Sequence, residues 1–376
     1  MTGKAERDKR ARMARAFGKI EGLLFSLGQT GLQRMSQSSA VELEALGQTA
    51  HNAGLIKIER ELGVLGAHVQ RYLARDPLFR LPAYQRTVNR IWMLNRSARR
   101  LFEAGTDLEA MREVLGEARR RYQRVERPLE MQVLGASGWV TDSGFVGVTI
   151  FFQSAEDAVV YQVSSARPTM YFGADPRRLL HQTLSDALPY TVHDLSHGSF
   201  AFREAKVSLD HRLSVHRELG IAEAPTRGLR VYDRVKVGSW VELLDRLRAL
   251  RSRPDEIRTE ALVYIEPAAL GRLTVDDMRA VATLPLLDAS GARMTLTVSL
   301  QEDLNLLVDN LERLLSPDHG LRPEGFFGRA WVAGGALRFF PYTAVYHEPL
   351  TLKLRGERRV NEVHLSLEPL TKVHRG

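Results

Sequence analysis

The chain of 376 residues contains no cysteine, and it lacks long hydrophobic runs. The first absence excludes disulfides, cysteine-ligated zinc, iron–sulfur clusters and thiol catalysis. No run approaches the ~18 apolar residues of a membrane-spanning helix. The apolar stretch after the basic N-terminus is only Leu23 to Phe25, far too short for the core of a signal peptide. These absences favour a cytoplasmic protein without a membrane span.

Strong active-site motifs are also missing. The sequence contains no Gly-x-Ser-x-Gly elbow, no phosphate-binding loop ending in Lys-Ser/Thr, and no Gly-x-Gly-x-x-Gly dinucleotide motif. The sequence therefore predicts no cofactor and favours a non-enzymatic protein, although it leaves enzymatic activity open.

Positive charge is concentrated in the first third of the chain. Residues 1–132 hold 24 Lys and Arg against 15 Asp and Glu, whereas residues 133–376 hold 29 against 30. Such segregation is informative about partners, because a basic region attracts acidic surfaces. It predicts that the first third meets nucleic acid or another acidic partner. A helix lying on a membrane surface is the less favoured alternative, because Glu6, Asp8 and Glu21 interrupt the basic stretch.

Apolar periodicity predicts about five helices before residue 125. They run from near Ala5 to Leu27, from Ser38 or Ser39 to Gly54, from Leu55 to about Ala74, from about Pro82 to Ala104, and onward from Thr106. The fifth is expected to begin at Thr106-Asp107-Leu108-Glu109, which has the spacing of a capping box.

The fourth predicted helix carries the clearest pattern. Its apolar residues recur at steps of three and four: Tyr84, Val88, Ile91, Leu94, Ala98, Leu101 and Phe102. The opposite face carries Arg86, Arg90, Arg96 and Arg100, and the fifth helix adds Arg119, Arg120 and Arg124. One interpretation is the solvated face of a helical bundle. The other is a nucleic-acid-binding stripe, since arginine binds phosphate in a bidentate way and each contact releases counterions.

Beyond Arg127-Pro128 the pattern changes from helical to strand-type. Short β-branched and aromatic runs at 146–152 and 159–163 predict strands, whereas Ser239-Trp240-Val241-Glu242 and Thr274 are each expected to begin a helix. A polar, Pro-containing break over 251–256 suggests another boundary. The sequence thus predicts an α+β protein with an N-terminal helical bundle followed by one or two small barrel-like or sheet modules with interspersed helices. The predicted domains are a basic helical domain over 1–127, a β-rich domain over 128–253 and a second β-rich domain over 254–376.

One local motif combines residues with metal-binding chemistry. In Val192-His193-Asp194-Leu195-Ser196-His197-Gly198, His193 and His197 are four residues apart and would share one face of a helix, as zinc-binding histidines do. A metal-dependent hydrolase using His193, Asp194 and His197 is therefore one hypothesis. The other is that both histidines are structural, because Gly198 ends the helix and the helix dipole favours histidine there.

Several short stretches resemble one bacterial family. They are Gly138-Trp139, Gly144, Gly147-Val148-Thr149, Ala166-Arg167-Pro168, Arg212-Leu213-Ser214, Gly328-Arg329 and Leu337-Arg338-Phe339-Phe340-Pro341. The chain resembles proteins associated with SWIM zinc-finger genes, which are often encoded beside MoxR-type AAA ATPases and von Willebrand A domain proteins. The zinc site of the SWIM motif needs cysteine ligands, so the resemblance implies the flanking architecture without that site.

The resemblance implies an accessory or scaffold protein of a multi-component, ATPase-linked system. Its expected partners are a MoxR-type ATPase or a von Willebrand A protein. Together with the charge pattern, this predicts a non-enzymatic interaction protein whose basic helical domain contacts nucleic acid. The metal-dependent hydrolase remains the alternative.

Overall fold

A computed structural model of the chain describes residues 2–77, 79–116, 122–141, 144–154, 156, 159–185, 188–208, 210–225, 229–252, 260–300, 305–316, 322–354 and 356–375. Two units separate by their internal contacts: Met1–Arg121 with Leu250–Arg258, and Tyr122–Ala249 with Thr259–Gly376. We call them the helical unit and the β unit. The sequence-based domain limits near residues 127 and 253 remain predictions.

The helical unit is the bundle that the sequence predicts. Its helices are α1 (Thr2–Thr30), α2 (Gln37–Ala53), α3 (Ile56–Leu73), α4 (Leu81–Glu103) and α5 (Arg112–Leu115). The boundaries follow local chemistry. Gly54 ends α2 in the left-handed conformation at φ 77°, and Pro82 lies in the first turn of α4, where its missing N–H costs nothing.

Apolar faces of these helices form one core. Phe17 and Ile20 of α1 and Ile91 of α4 are among the residues that pack there, and all three are almost completely buried. Polar contacts add to this packing. The side-chain amide of Asn95 donates to the carbonyl of Phe17 at 3.3 Å. The guanidinium of Arg10 donates to the carbonyls of Phe102 and Thr106. One basic residue of α1 is thus bound to the carbonyls at the C-terminal end of α4.

The prediction for the start of the fifth helix is wrong. The Thr106–Glu109 stretch does not begin a helix: the Asp107 carboxylate accepts from the N–H of Glu109, and the residues 108–111 form a turn. Within the described part of this stretch the helical residues are Arg112–Leu115, and Gly116 ends the helix at φ 78°. Arg119 and Arg120 lie outside the described residues. Arg124 lies in a strand of the β unit rather than on a helix.

The β unit contains strands of very different lengths. The first nine are β1 (Gln123–Arg124), β2 (Leu129–Thr141), β3 (Phe145–Ser154), β4 (Val160–Pro168), β5 (Ser199–Arg203), β6 (Lys206–Val207), β7 (Gly220–Ala224), β8 (Lys236–Val237) and β9 (Glu260–Ile265). They are followed by β10 (Ala269–Leu270), β11 (Thr274–Asp276), β12 (Val281–Leu287), β13 (Arg293–Ser299), β14 (Gly325–Ala333), β15 (Ala336–Leu352), β16 (Arg358–His364) and β17 (Val373–Arg375).

These strands pair into three sheets within the described ranges. An antiparallel five-stranded sheet has the order β4-β3-β2-β5-β7. A ten-stranded mixed sheet follows the path β10-β12-β13-β15-β14-β9-β8, with β11 beside β12 and with β16 and β17 beside β15. Strands β1 and β6 form a separate pair. Strand β8 pairs in parallel with β9, so strands from both predicted β-rich domains share the larger sheet.

Interspersed helices complete the β unit and confirm the α+β prediction. They are α6 (Thr169–Phe172), a 3-10 helix (Pro176–His181), α7 (Val192–Leu195), α8 (Trp240–Ser252) and α9 (Asn305–Leu315). The hydroxyl of Ser239 accepts from the N–H of Glu242, as the predicted cap of α8 requires. The predicted helix at Thr274 is wrong. That segment is strand β11, because it pairs along β12. No helix in the described ranges is both long and apolar enough to cross a bilayer.

Side chains of β3 belong to different clusters according to the face of the sheet on which they lie. Phe152 packs edge-to-face against Phe202 of β5 in one core, with ring centroids 5.2 Å apart. Phe151 belongs to another cluster, where it stacks on Tyr342 at 5.0 Å and meets Phe327 at 5.5 Å. Because Phe327 and Tyr342 belong to the ten-stranded sheet, the five-stranded sheet packs against it through this aromatic cluster.

A glycine at the contact between the sheets should not tolerate a side chain. A Cβ atom on Gly135 of β2 would lie 2.9 Å from the Cβ of Thr343 and 3.0 Å from a ring carbon of Phe327. We expect Gly135→Ala to lower the free energy of unfolding by about 1–3 kcal/mol, as overpacking does. Urea denaturation of the full chain measures this change.

Gly220→Ala is the matched control for this substitution. Its Cβ would meet only the Cβ of Arg203, at an ordinary 3.5 Å. We expect this control to unfold at the wild-type urea concentration or slightly above it. Equal stability of the two alanine variants would contradict the close packing at Gly135.

Candidate functional site

The outward face of α4 carries the arginines that the sequence singled out. Burial of Tyr84, Ile91 and Leu94 against the helical core fixes the rotation of the helix. Arg86, Arg90, Arg96 and Arg100 are all exposed as a result, which is the placement that the sequence predicts. Their role in binding remains a prediction.

Ion pairs separate these arginines into two kinds. Arg90 lies 3.3 Å from the carboxylate of Glu61 in α3, so part of its charge is balanced within the chain. Across the described residues, Arg86, Arg96 and Arg100 form no ion pair. Three of the four predicted arginines of α4 therefore remain without an ion pair, because Arg90 contacts Glu61. Arg124 is also engaged: it lies in β1 and forms an ion pair with Glu204.

An aromatic side chain stands among the unpaired arginines. Trp92 is 46% exposed, and the guanidinium of Arg96 lies over its ring at 5.0 Å from the centroid. The neighbouring Met93 is also exposed. Trp92 was not among the binding residues predicted from the sequence. The available signal was its position on the helix, since it falls outside the apolar face set by Tyr84 and Ile91.

We call this surface the α4 outer face; it consists of Arg86, Asn89, Trp92, Met93, Arg96 and Arg100. Arg86 and Arg100 are fourteen residues apart, which corresponds to about 21 Å along a helix. Beside this face lies a surface groove of about 430 Å³, lined by Leu27, Gly28, Tyr84, Gln85, Val88 and Asn89. A positively charged ridge, an exposed indole and a shallow groove therefore lie together on one side of the helical unit.

A second candidate site lies in the β unit, where the predicted histidine pair is buried. His193 lies in the single turn of α7 and His197 follows that turn, with ring centroids 5.4 Å apart. Thr191 begins the turn and forms a capping box with Asp194. One oxygen of the Asp194 carboxylate, Oδ2, accepts from both the N–H and the hydroxyl of Thr191.

Two distant carboxylates enclose His197. Its Nε2 lies 2.6 Å from Glu368 and its Nδ1 lies 3.3 Å from Glu362, and all three side chains are buried. Burial by itself lowers the pKa of His197, but the carboxylates of Glu368 and Glu362 outweigh burial and raise it to about 9. Burial likewise opposes the charge of Glu368, yet the neighbouring His197 lowers the pKa of Glu368 to about 2. His197 is therefore a buried cation that donates to both carboxylates.

His364 has a different role in the same cluster. The N–H of Ala136 donates to its Nδ1 at 3.1 Å, which requires that this nitrogen carry no hydrogen. Its Nε2–H then donates to the carbonyl of Ser196 at 2.7 Å. Burial lowers the pKa of His364, in agreement with a neutral ring. Both ring nitrogens are used, and the ring stacks on His197 at 4.7 Å.

His193 is the unsatisfied member of the cluster. It is buried, and its Nδ1 has no hydrogen-bond partner. This atom lies 3.9 Å from the same Glu368 oxygen that contacts His197. Burial, followed by the positive charge of His197, lowers the pKa of His193 to about 4, so its ring is neutral. Among the described residues, His193, His197 and Glu368 form the one group whose donor atoms are close enough to hold a metal ion.

We call these five residues the His–Glu cluster: His193, His197, Glu362, His364 and Glu368. The cluster joins parts of the chain that lie far apart in sequence, since Glu362 is 165 residues from His197. It also joins the two sheets, because Ala136 of β2 donates to His364 of β16. The sequence predicted the histidine pair but not its carboxylates, because no local pattern connects α7 with β16.

Arg358 is the other charged group at the cluster. Its guanidinium donates to the carbonyl of His197 at 3.1 Å and to that of Asp194 at 3.4 Å, at the end of α7. The side-chain amide of Asn310 in α9 donates to the carbonyls of Leu365 and Glu368, which positions the segment that carries Glu368. The Glu368 carboxylate also accepts from the N–H of His364 at 2.8 Å, so the backbone around Glu368 is held both by Asn310 and by the carboxylate itself.

No protein-family model matches the chain, and no curated protein matches its sequence. Several solved structures show a distant likeness. An Ifi202 HINa domain in complex with 20-bp double-stranded DNA has 11% identity and a TM-score of 0.28, over 58% of this chain and 93% of that chain. A replication protein A heterotrimer bound to single-stranded DNA has 11% identity and a TM-score of 0.27, over 59% of this chain and 49% of that chain. Likeness at this level assigns neither a fold nor a function.

The buried neutral His193 should make the protein sensitive to acid. Its pKa is about 4 in the folded state against 6.5 ordinarily, so the unfolded chain takes up the proton first as the pH falls. We expect the free energy of unfolding to fall by up to about 3 kcal/mol from this group between pH 6.5 and 4. Urea denaturation in the presence of EDTA at several pH values measures it.

His193→Gln should remove this contribution and flatten the stability curve over that pH window. His181→Gln is the control, because His181 is exposed and lies in the same unit. If the His193→Gln variant loses as much stability between pH 6.5 and 4 as the wild type, the buried neutral state of His193 is wrong.

Proposed function

We propose that the helical unit binds single-stranded nucleic acid through the α4 outer face. The observation that carries the proposal is the exposed Trp92 with the Arg96 guanidinium over its ring, between the unpaired arginines Arg86 and Arg100. Aromatic rings on which bases stack, set within a positively charged surface that follows the backbone, are typical of proteins that bind single strands without sequence preference.

The dimensions of the face support this proposal. The ~21 Å between Arg86 and Arg100 is long enough to follow several nucleotides of a bound strand. Arg86 and Arg100 would contact phosphates near the two ends. Trp92 would stack on a base between them, and the groove beside Asn89 is adjacent to that position.

Charge distribution supports the same choice of unit. The surplus of positive charge lies in residues 1–132, whereas the rest of the chain is nearly balanced. Several of the basic residues are engaged within the protein: Arg99 contacts Glu21 at 2.6 Å and Glu103 at 2.7 Å. A phosphate that binds an unpaired arginine of α4 displaces only water and counterions, whereas one that binds Arg99 must compete with Glu21 and Glu103.

The resemblance to SWIM-associated proteins would make this binding part of an accessory role beside a MoxR-type ATPase or a von Willebrand A protein. That role stays a prediction from the sequence. The metal-dependent hydrolase also stays a prediction, and it gains no support from Asp194, whose carboxylate is bonded to Thr191.

Neutralising the unpaired arginines tests the proposal. We expect the triple variant Arg86→Ala, Arg96→Ala and Arg100→Ala to bind labelled oligothymidylate at least roughly tenfold more weakly at low salt. The slope of log affinity against log salt should also fall by up to about two, because up to three phosphate contacts are lost and each contributes about 0.7 on a single strand. Fluorescence anisotropy between about 50 and 200 mM salt gives both quantities.

Arg203→Ala, Arg217→Ala and Arg272→Ala form the matched control, since these arginines are exposed in the β unit and the net charge changes equally. Trp92→Ala should weaken single-strand binding by about 1–3 kcal/mol, whereas removal of the exposed aromatic Tyr171 should leave it unchanged. Absence of wild-type binding at low salt, or equal affinity of the two triple variants, would overturn the proposal. If a duplex binds more tightly than the single strand, and Trp92→Ala does not change its affinity, the ligand of this face is a duplex.

A further inference from the structure

We propose that Nδ1 of His193, Nε2 of His197 and an oxygen of Glu368 bind a divalent cation of the zinc class. This site lies in the β unit and is independent of nucleic-acid binding by the α4 outer face. It extends the histidine pair seen in the sequence by a third ligand, contributed by the chain that follows β16.

The unpaired nitrogen of His193 is the first observation that points to a ligand. The residue is 6% exposed, and its Nδ1 has no hydrogen-bond partner although it is completely buried. Buried polar atoms are nearly always satisfied by protein, water or an ion, because an unsatisfied one costs free energy. The neutral ring has a lone pair to offer, and Glu368 lies on the same side at 3.9 Å.

The spacing of the donor atoms is the second observation. In a tetrahedral site with bonds of about 2.0–2.2 Å, neighbouring ligand atoms lie roughly 3.3–3.5 Å apart. The Glu368 oxygen lies 2.6 Å from His197 and 3.9 Å from His193, and all three donor atoms lie within 4.8 Å of one another. Shifts of less than about 1 Å would bring both distances to the metal-site value.

The donor set selects the class of cation. Two imidazole nitrogens and one carboxylate oxygen suit zinc, cobalt, nickel or copper, whereas magnesium and calcium prefer oxygen ligands alone. His197 is already oriented as a ligand, since its Nδ1 faces the carboxylate of Glu362 at 3.3 Å. A carboxylate that accepts from the outer nitrogen of a histidine ligand is the usual support of such sites.

Charge balance also favours the cation. The carboxylates of Glu362 and Glu368 both contact the ring of His197, so a bound cation would lie among two buried acidic side chains, with Arg358 at the edge of the cluster. Binding would exchange the proton on Nε2 of His197, released to solvent, for a dication. The two buried carboxylates would then be balanced within the cluster. His364 would remain outside the coordination, because both of its nitrogens are bonded.

Metal titration of the full chain tests this site. After EDTA treatment and removal of the chelator, we expect isothermal titration with Zn²⁺ to give one saturable site per chain. Co²⁺ should then give visible d–d absorption that Zn²⁺ abolishes and excess Mg²⁺ does not. His193→Gln should weaken Zn²⁺ binding by about 100-fold or more, and Glu362→Gln by about 10–100-fold.

His193→Gln is informative because it should not disturb the fold: the Nδ1 of His193 makes no hydrogen bond, and the pair of His197 with Glu368 is kept. Its circular dichroism spectrum in EDTA at neutral pH should equal that of the wild type. His181→Gln should bind Zn²⁺ as the wild type does. The proposal is overturned if the wild type shows no saturable site, or if His193→Gln binds Zn²⁺ with unchanged affinity.

Discussion

A positive charge buried between two carboxylates connects the two large sheets of the β unit. His197 is 1% exposed and contacts Glu368 on one ring nitrogen and Glu362 on the other. Each of these groups is costly to bury alone, and together they satisfy one another. Because His197 precedes β5 of the five-stranded sheet and Glu362 lies in β16 of the ten-stranded sheet, the ionic contact can form only when both sheets are in place. The neutral His364, which accepts from β2, adds a second polar link.

Apolar packing and the His–Glu cluster act on the same arrangement of sheets. Phe151, Phe327 and Tyr342 exclude water between the sheets, but such contacts tolerate small shifts. Hydrogen bonds to a charged ring are stronger and more directional than aromatic contacts, so the cluster adds specific polar contacts between the sheets. The same geometry leaves the buried nitrogen of His193 beside the shared Glu368 oxygen. The candidate metal site is thus a consequence of how the two sheets are held together.

In the helical unit, burial of one face of α4 determines which of its side chains are exposed to solvent. Ile91 and Leu94 must lie against the core, so Arg86, Trp92 and Arg100 must face solvent. Local periodicity carries this information, which is why the sequence predicted that the arginines of α4 lie on its exposed face. It did not separate Arg90 from the others, because its partner Glu61 belongs to another helix. Nor did it separate the Thr106–Glu109 stretch from a true helix start, because Asp107 forms a turn with the same residues.

Long-range pairing limited prediction in the β unit as well. The β-branched and aromatic residues between Val146 and Phe152 predict a strand, and β3 confirms that prediction. The segment that begins at Thr274 was predicted as a helix. It is a strand because it pairs with β12, a contact that the local sequence does not show. His193 and His197 were recognisable from their spacing, whereas Glu362 and Glu368 lie about 165 residues or more away and became visible through the fold.

A double-mutant cycle on His197 and Glu368 is the most direct test of the buried ion pair. The free energies of unfolding of His197→Gln, Glu368→Gln and the double variant would be measured by urea denaturation at neutral pH with EDTA. The buried pair predicts strong coupling, with the double variant at least about 1.5 kcal/mol more stable than the sum of the single effects. Additivity within about 0.5 kcal/mol would contradict it and would leave apolar packing as the main contact between the sheets.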